Sequence, residues 1–182
     1  MLQMHVFLIG MAGSGKAMLG RKAAAALGLR LIDTDARVSE MMGMSVSAIS
    51  AAFGDEFFRN AEAGVLIELV GEPPCIVCTG EGLPMARENV QLMQNHGVII
   101  HVDRPLDQIL SEVKTDRRGF PQDGSHEELI QQYNNHIGFY RAAADYTLDL
   151  SQGFTVGLSR LTQMIQGIAT GSREAVREYE AH

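Results

Sequence analysis

The stretch that decides the fold is GMAGSGKAML, residues 10–19, which follows the apolar run HVFLI at residues 5–9. Its spacing, G-x-x-x-x-G-K from Gly10 to Lys16, is that of a loop whose backbone N–H groups surround a polyphosphate. Such a loop lies between a buried strand and a helix, which is also the setting that the flanking sequence predicts. The stretch therefore predicts a phosphate-binding loop. The alternative is a glycine-rich strand-to-helix turn with a surface lysine.

The position after the loop lysine departs from the usual motif. A serine or threonine there supplies a hydroxyl to a magnesium ion, but this chain has Ala17 followed by Met18. Ser14 lies on a different part of the loop and does not replace that hydroxyl. Because water can fill a missing magnesium ligand, the substitution predicts a weakened metal site on a loop that still holds phosphates.

The composition indicates one globular domain. Hydrophobic residues are 46% and charged residues 20% of 182, and no apolar run reaches the roughly 18 residues of a membrane span. The formal net charge of −7 argues against general nucleic-acid binding, which uses a basic face. The opening MLQMHVFLIG lacks the basic segment of a secretory signal. We therefore expect a cytoplasmic protein that binds neither nucleic acid nor membrane, and we expect it to be a monomer.

Short apolar runs alternate with longer helical patterns, which predicts a parallel sheet with crossover helices. The predicted strands span residues 5–9, 30–32, 76–78, 98–102 and 146–150. The predicted helices span residues 15–27, 46–53, 55–70, 85–95, 106–113, 127–144 and 156–169. A polar stretch at about residues 113–125 with two glycines and a proline indicates a mobile lid over the site. We expect a single domain over residues 1–170 and a polar tail at 171–182.

The two cysteines, Cys75 and Cys78, have the C-x-x-C spacing of a redox pair or of half a zinc site. They flank an apolar dipeptide after two prolines, which indicates a strand. Residues three apart in a strand face opposite sides, and one pair without further ligands cannot complete a zinc site. We therefore predict two buried free thiols.

Further fragments follow the loop in a fixed order. They are LIDTD (31–35), GMSVSAI (43–49), GDEFFRNAE (54–62), CTGEG (78–82) and YRAAADYTLD (140–149). Together with the loop they resemble the shikimate kinase family, over about residues 5–150. The resemblance implies a three-layer α/β P-loop fold in which helices flank a five-stranded parallel sheet. It also implies transfer of the γ-phosphoryl group of ATP, with Mg²⁺, to the 3-hydroxyl of a small-molecule substrate, shikimate.

The resemblance gives each candidate site residue an expected role. The catalytic residues are expected to be Lys16, Asp35 and Arg118. The nucleotide contacts are expected to be Gly10, Ala12, Gly13, Ser14, Gly15, Lys16, Ala17, Met18, Lys114 and Arg117. The substrate contacts are expected to be Asp35, Arg59, Gly80, Glu81, Gly82 and His136, with Asp33 near the metal.

A role for Asp33 and Asp35 can also be inferred from their spacing, without the resemblance. Carboxylates at i and i+2 of a strand can point to the same side, at the sheet edge where ligands bind. Asp33 could then serve a metal ion while Asp35 accepts a hydroxyl proton. The alternative is an ordinary acidic strand-to-helix turn with Asp35 as the N-cap.

The arginine assignments leave alternatives open. A guanidinium such as that of Arg59 fits a substrate carboxylate, but a helix-surface pair with Glu62 at i+3 would also explain this residue. The lid sequence RRGFP does not decide between Arg117 and Arg118. A solvated basic loop is the alternative for both of these arginines and for Lys114.

Two further departures from the family fall on the substrate pocket. The family has three consecutive glycines where this chain has Gly80, Glu81 and Gly82, and it has an arginine where this chain has His136. Both changes reduce positive charge near an anionic substrate, because histidine is mostly neutral at pH 7. The first hypothesis is a shikimate kinase-like enzyme with weakened activity. The alternatives are a kinase for another hydroxylated small molecule and a catalytically silent nucleotide-binding protein.

Overall fold

The computed structural model describes residues 1–113 and 126–171 and shows a parallel sheet with helices on both faces. The strands are β1 (His5–Ile9), β2 (Leu31–Asp33), β3 (Ile76–Cys78), β4 (Gly97–Asp103) and β5 (Tyr146–Asp149). Their spatial order is β2-β3-β1-β4-β5, and every pairing is parallel. The predicted three-layer α/β fold with five parallel strands is confirmed.

Eight helices lie in the described part of the chain. They are α1 (Lys16–Leu27), α2 (Thr34–Met42), α3 (Val46–Phe53), α4 (Asp55–Leu69), α5 (Arg87–His96), α6 (Leu106–Val113), α7 (His126–Ala143) and α8 (Phe154–Thr170). A short 3₁₀ turn, Leu83–Met85, precedes α5. None of these helices is long and apolar enough to cross a membrane.

The central strand β1 is buried along its whole length and divides the core into two halves. Val6 and Leu8 face the half that is covered by α1 and α8. Phe7 and Ile9 face the half that is covered by α4, α5 and α7. This continuous apolar run is typical of a parallel strand with helices on both sides, and it ends directly at the phosphate-loop sequence.

Helix α1 approaches the sheet closely at Gly20. A Cβ atom at this position would lie 2.7 Å from Cys78 Sγ and 2.9 Å from Leu31 Cδ1. The Cys78 thiol also donates a hydrogen bond of 3.6 Å to the Lys16 carbonyl in the first turn of α1. The missing side chain at Gly20 therefore sets how deeply the start of α1 lies over the sheet.

Helix α2 was not predicted, and its position corrects the reading of the aspartate pair. Asp33 is the last residue of β2 and the N-cap of α2, because its Oδ1 accepts a hydrogen bond of 3.2 Å from the Ala36 N–H. Asp35 lies within the first turn of α2 and is neither a strand residue nor the N-cap. The predicted strand at 30–32 was one residue too early. The helix was missed because Asp33 both ends β2 and caps α2, so no loop signal marks where the helix begins.

Both cysteines are free and buried, as predicted. Cys78 lies in β3, where burial raises the pKa of its thiol to about 12. Cys75 lies 3.6 Å from Nδ1 of the buried His5, and burial raises the pKa of this thiol too. Two thiols with raised pKa values contain little reactive thiolate at neutral pH.

Candidate active site

The loop between β1 and α1 has a backbone that only glycines adopt readily. Gly10, Gly13 and Gly15 have φ values of 147°, 78° and 86°. At Gly10 a side chain is excluded for a second reason, because a Cβ atom there would lie 2.7 Å from the Val102 carbonyl oxygen. Gly15 is the N-cap of α1 and supplies no side-chain cap. The first N–H groups of α1 are therefore left for an anion.

The lysine at the end of the loop folds back over it. Lys16 Nζ donates a hydrogen bond of 3.2 Å to the Met11 carbonyl oxygen, so its ammonium group lies beside the first half of the loop. Ser14 is buried, and its hydroxyl has no hydrogen-bond partner in the described part of the chain. Ala17 provides only a methyl group, and Met18 is exposed.

A cleft of about 290 Å³ extends from the loop towards the start of α8. Its lining includes Gly13, Ser14, Gly15, Met18, Arg104, Gln108 and Phe154. Arg104 donates to both oxygens of Glu112, at 2.8 and 2.6 Å, and to the Gly13 carbonyl oxygen at 3.3 Å. Arg104 was not among the residues predicted from the sequence. The available signal was its place just after β4, at the edge of the sheet where the loop also lies.

A buried hydrogen-bond network lies across the loop at the ends of β2 and β3. The Thr34 hydroxyl donates to Glu62 Oε1 at 2.5 Å, and the Gly80 N–H donates to the same oxygen at 2.7 Å. The Gly80 N–H also lies 3.0 Å from the Thr34 hydroxyl oxygen. Burial, and then the neighbouring Asp35 carboxylate, raise the pKa of Glu62 to about 7. Glu62 is therefore not a surface partner of Arg59, and the structure shows no ion pair between these two residues.

Replacing Glu62 with glutamine is expected to remove much of the pH dependence of stability between about pH 4.5 and pH 7. Because the folded pKa is raised, Glu62 favours folding fully below its unfolded value of 4.5 and loses this contribution as the pH rises through about 7. The difference is on the order of 3 kcal/mol. The glutamine amide oxygen can still accept the bonds from Thr34 and Gly80.

Thermal unfolding of both proteins at about pH 5 and about pH 8 measures this effect. The wild type should lose stability relative to Glu62→Gln at the higher pH. Parallel pH dependences in the two proteins would contradict a raised pKa at Glu62.

Asp35 lies beside this network with one oxygen unused. Its Oδ1 is buried and has no hydrogen-bond partner in the described part of the chain. Burial raises the pKa of Asp35 to about 6, the charge of Lys16 opposes the shift, and Asp33 and Glu81 add to it. A carboxylate with this pKa is ionised at neutral pH and can accept a proton.

The Glu81 side chain points to the phosphate loop. Its Oε2 accepts a hydrogen bond of 3.2 Å from the Ala12 N–H, and its Oε1 accepts one from Gln132 Nε2. Its backbone carbonyl accepts a hydrogen bond of 2.9 Å from the Tyr140 hydroxyl. The sequence predicted that this carboxylate would stand beside the substrate, but it gave no sign of the reach to Ala12 or of Gln132.

The remaining predicted substrate residues lie around this group. Arg59 is exposed on α4, and its Nε lies 3.9 Å from the place that a Cβ atom of Gly82 would take. His136 packs edge-on against Tyr140, with ring centroids 6.1 Å apart, and its buried Nδ1 has no partner in the described part of the chain. The predicted lid, with Lys114, Arg117 and Arg118, and the tail after Gly171 lie outside the described residues.

Asp33, the predicted metal residue, already has two neighbours. One oxygen accepts from the Ala36 N–H, and the other lies 3.6 Å from Arg21 Nη2. Among residues 1–113 and 126–171, no group of three or more His, Cys, Asp or Glu side chains is placed to hold a metal ion. Protein groups alone therefore do not form a metal centre in this region.

The fold and the site together define a P-loop kinase. A glycine loop that ends in a lysine joins the central strand to a helix, and the charge of that lysine acts on Asp35, a carboxylate with an unused buried oxygen. The shikimate kinase family model matches residues 12–165. The chain belongs to the shikimate kinase family.

Individual relatives agree with this assignment. Shikimate kinase from Clostridium botulinum (strain Eklund 17B / Type B) is 30% identical over 138 residues, which cover 76% of this chain and 82% of that protein. Shikimate kinase from Clostridium beijerinckii is 31% identical over 140 residues, which cover 77% of this chain and 82% of that protein. The structure of shikimate kinase from Acinetobacter baumannii in complex with shikimate matches with a TM-score of 0.81 and 25% identity, over 93% of this chain and 94% of that chain.

Proposed function

We propose that this chain transfers the γ-phosphoryl group of ATP to a hydroxyl group of shikimate. The observation that carries the proposal is Asp35, whose unused oxygen lies in a buried site and whose pKa is influenced by Lys16. A proton acceptor that is influenced by the charge of the loop lysine supports this proposal. The relatives named shikimate kinase, one of them solved with shikimate bound, supply the identity of the acceptor.

The chain offers separate places for the parts of the nucleotide. The loop N–H groups, the start of α1 and Lys16 bind the phosphates, because a helix N-terminus and a lysine both attract negative charge. The cleft lined by Arg104, Gln108 and Phe154 receives the nucleoside. The Arg104 bond to Gly13 connects the two places.

Asp35 acts on the acceptor. The hydroxyl oxygen attacks the γ-phosphorus, the bond from that phosphorus to the ADP oxygen breaks, and the hydroxyl proton passes to Asp35 Oδ1. Glu62 fixes the position of Thr34, which precedes Asp35 in the chain, and of Gly80, which lies against Asp35 Oδ1. Arg59 is the guanidinium near this turn that can bind the substrate carboxylate.

The residues fit a magnesium ion that is held mainly by the nucleotide. Mg²⁺ at a phosphate site needs only one or two carboxylates, with phosphate oxygens and waters as its other ligands. Asp33 is the carboxylate that would hold it here. When bound, the ion neutralises charge on the outer phosphates.

Replacing Ala17 with serine is expected to strengthen Mg²⁺ binding in the complex with nucleotide. The added hydroxyl supplies the oxygen ligand that the first turn of α1 lacks. The measurement is the Mg²⁺ concentration that gives half-maximal affinity for ADP by calorimetry, which should be lower in Ala17→Ser. Ala17→Val is the control for added size, since it adds more bulk than serine and no hydroxyl. An equal Mg²⁺ requirement in all three proteins would mean that the missing hydroxyl does not limit the site.

A coupled ADP-release assay, run with and without shikimate, tests the proposed function. Shikimate-dependent ADP release would support it. ADP release that requires a different hydroxylated compound would show that the protein is a kinase and that its acceptor is not shikimate. Nucleotide binding without release on any acceptor would show a silent binding protein, the second candidate. Ala17 and the Glu81 carboxylate on the loop favour that candidate, because both weaken the place where the γ-phosphoryl group and its metal ion must lie.

A further inference from the structure

The Glu81 carboxylate is held in the phosphate loop from two sides. The Ala12 N–H donates to Oε2 at 3.2 Å, and the Gln132 amide donates to Oε1 from α7. The Tyr140 hydroxyl fixes the backbone of the same residue through its carbonyl oxygen. An anionic group of this chain therefore already accepts a hydrogen bond from a loop amide.

The position of Ala12 shows which phosphate this carboxylate would meet. Lys16 Nζ bonds to the carbonyl of Met11, the residue that precedes Ala12. In loops of this spacing the lysine reaches the β- and γ-phosphates, and the loop N–H groups surround the α- and β-phosphates. The Lys16 bond to Met11 therefore places the neighbouring Ala12 at the end of the loop that meets the outer phosphates. Glu81 is also among the charges that Asp35 senses. The carboxylate therefore lies at the outer-phosphate end, on the side of the proton acceptor.

We propose that Glu81 is a specificity-determining residue that makes the loop discriminate against a third phosphate. In the free protein its carboxylate takes the Ala12 N–H that faces the γ-phosphoryl group. A nucleoside triphosphate must displace it, because two anions cannot share one amide at short range. A nucleoside diphosphate ends before this point, so it can bind without displacing the Glu81 carboxylate. The inference rests on the proposed nucleotide site.

Glu81→Gln is the direct test, because it removes the charge and keeps the size and an acceptor oxygen. Calorimetry in Mg²⁺ buffer gives the affinities for ADP and for the non-hydrolysable triphosphate β,γ-imido-ATP. In the wild type we expect ADP to bind at least as tightly as the triphosphate. In Glu81→Gln the triphosphate should gain about tenfold or more over ADP, since hydrogen bonds to charged groups contribute enough for such a change.

Two further variants separate this effect from a general change of charge or of folding. Glu68→Gln makes the same charge change on an exposed position of α4 and should leave the ratio of the two affinities unchanged. Gln132→Leu removes one of the two bonds to Glu81 without changing charge, and it should shift the ratio in the same direction as Glu81→Gln but less. Thermal unfolding of each variant verifies that it is folded.

An equal gain for both nucleotides in Glu81→Gln, or no gain for either, would overturn the inference while the nucleotide site stands. A wild type that binds neither nucleotide would overturn the proposed function and this inference with it. A triphosphate that already binds much more tightly than ADP in the wild type, with a ratio that Glu81→Gln does not change, would also overturn the inference.

Discussion

Replacing Asp35 with asparagine is expected to lower kcat for shikimate phosphorylation by about 10²–10⁴-fold, the usual contribution of a positioned general base. Asparagine has the same shape but cannot accept the proton of the acceptor hydroxyl. ADP affinity should change little, because the proposed role of Asp35 concerns the acceptor and not the nucleotide. Glu40→Gln, on an exposed position of the same helix α2, is the matched control and should retain full turnover.

The pH profile gives this expectation a second readout. Since the pKa of Asp35 is about 6 and its ionised form is the active one, kcat/KM should be low at about pH 5 and should rise through about pH 6 to a plateau. The rise should be absent from the residual activity of Asp35→Asn. A wild-type profile that is flat from about pH 5 to pH 8, or an Asp35→Asn enzyme with normal kcat, would remove Asp35 from the chemistry.

Replacing Lys16 with alanine is expected to weaken ADP binding by roughly tenfold to a hundredfold. The estimate follows from the loss of one hydrogen bond between charged groups, about 1.5–3 kcal/mol. Calorimetry with ADP measures it directly. Arg30→Ala is the control for loss of a positive charge, because Arg30 pairs with Glu72 just before β2, at the opposite edge of the sheet from the loop.

The stability of Lys16→Ala must be measured as well, since its ammonium group also bonds to the Met11 carbonyl. A folded Lys16→Ala protein with unchanged ADP affinity would contradict the assignment of the loop. A loss of affinity in Arg30→Ala equal to that in Lys16→Ala would mean that general charge, and not the loop lysine, determines binding.

The sequence was sufficient for most of the fold because local signals and the global architecture agree. The apolar run before Gly10, the glycines of the loop and the alternation of short and long patterns all require the same parallel sheet. The prediction of secondary structure was wrong at Asp33, where one residue belongs to both a strand and a helix cap. Asp33 ends β2 and caps α2 without an intervening turn, so no loop signal separated the strand from the helix that was missed.

The candidate site was less accessible to sequence reasoning. Glu62 was considered as a surface partner of Arg59, but it is buried against Thr34 and Gly80. The environment of Glu62 is formed by the segments around residues 34, 62 and 80. These segments are distant in the sequence, so no local pattern indicates that they lie together. Glu81 was noted as a departure because it adds a side chain and a negative charge where the family has glycine. Its bond to Ala12 nevertheless depends on a side-chain direction that spacing does not encode.

Gly20 connects the stability of this protein to its activity. Glycine-to-alanine substitution within a helix is a common route to thermostable variants, because alanine favours the helix by roughly 0.5–1 kcal/mol. At Gly20 an added methyl group would press on Cys78 and Leu31 and lift the start of α1 from the sheet. The start of α1, one turn before Gly20, carries Lys16 and the N–H groups proposed to bind the phosphates. Gly20→Ala, chosen to stabilise the helix, would therefore be expected to reduce activity. Gly20 should be kept unchanged when this enzyme is engineered for thermostability.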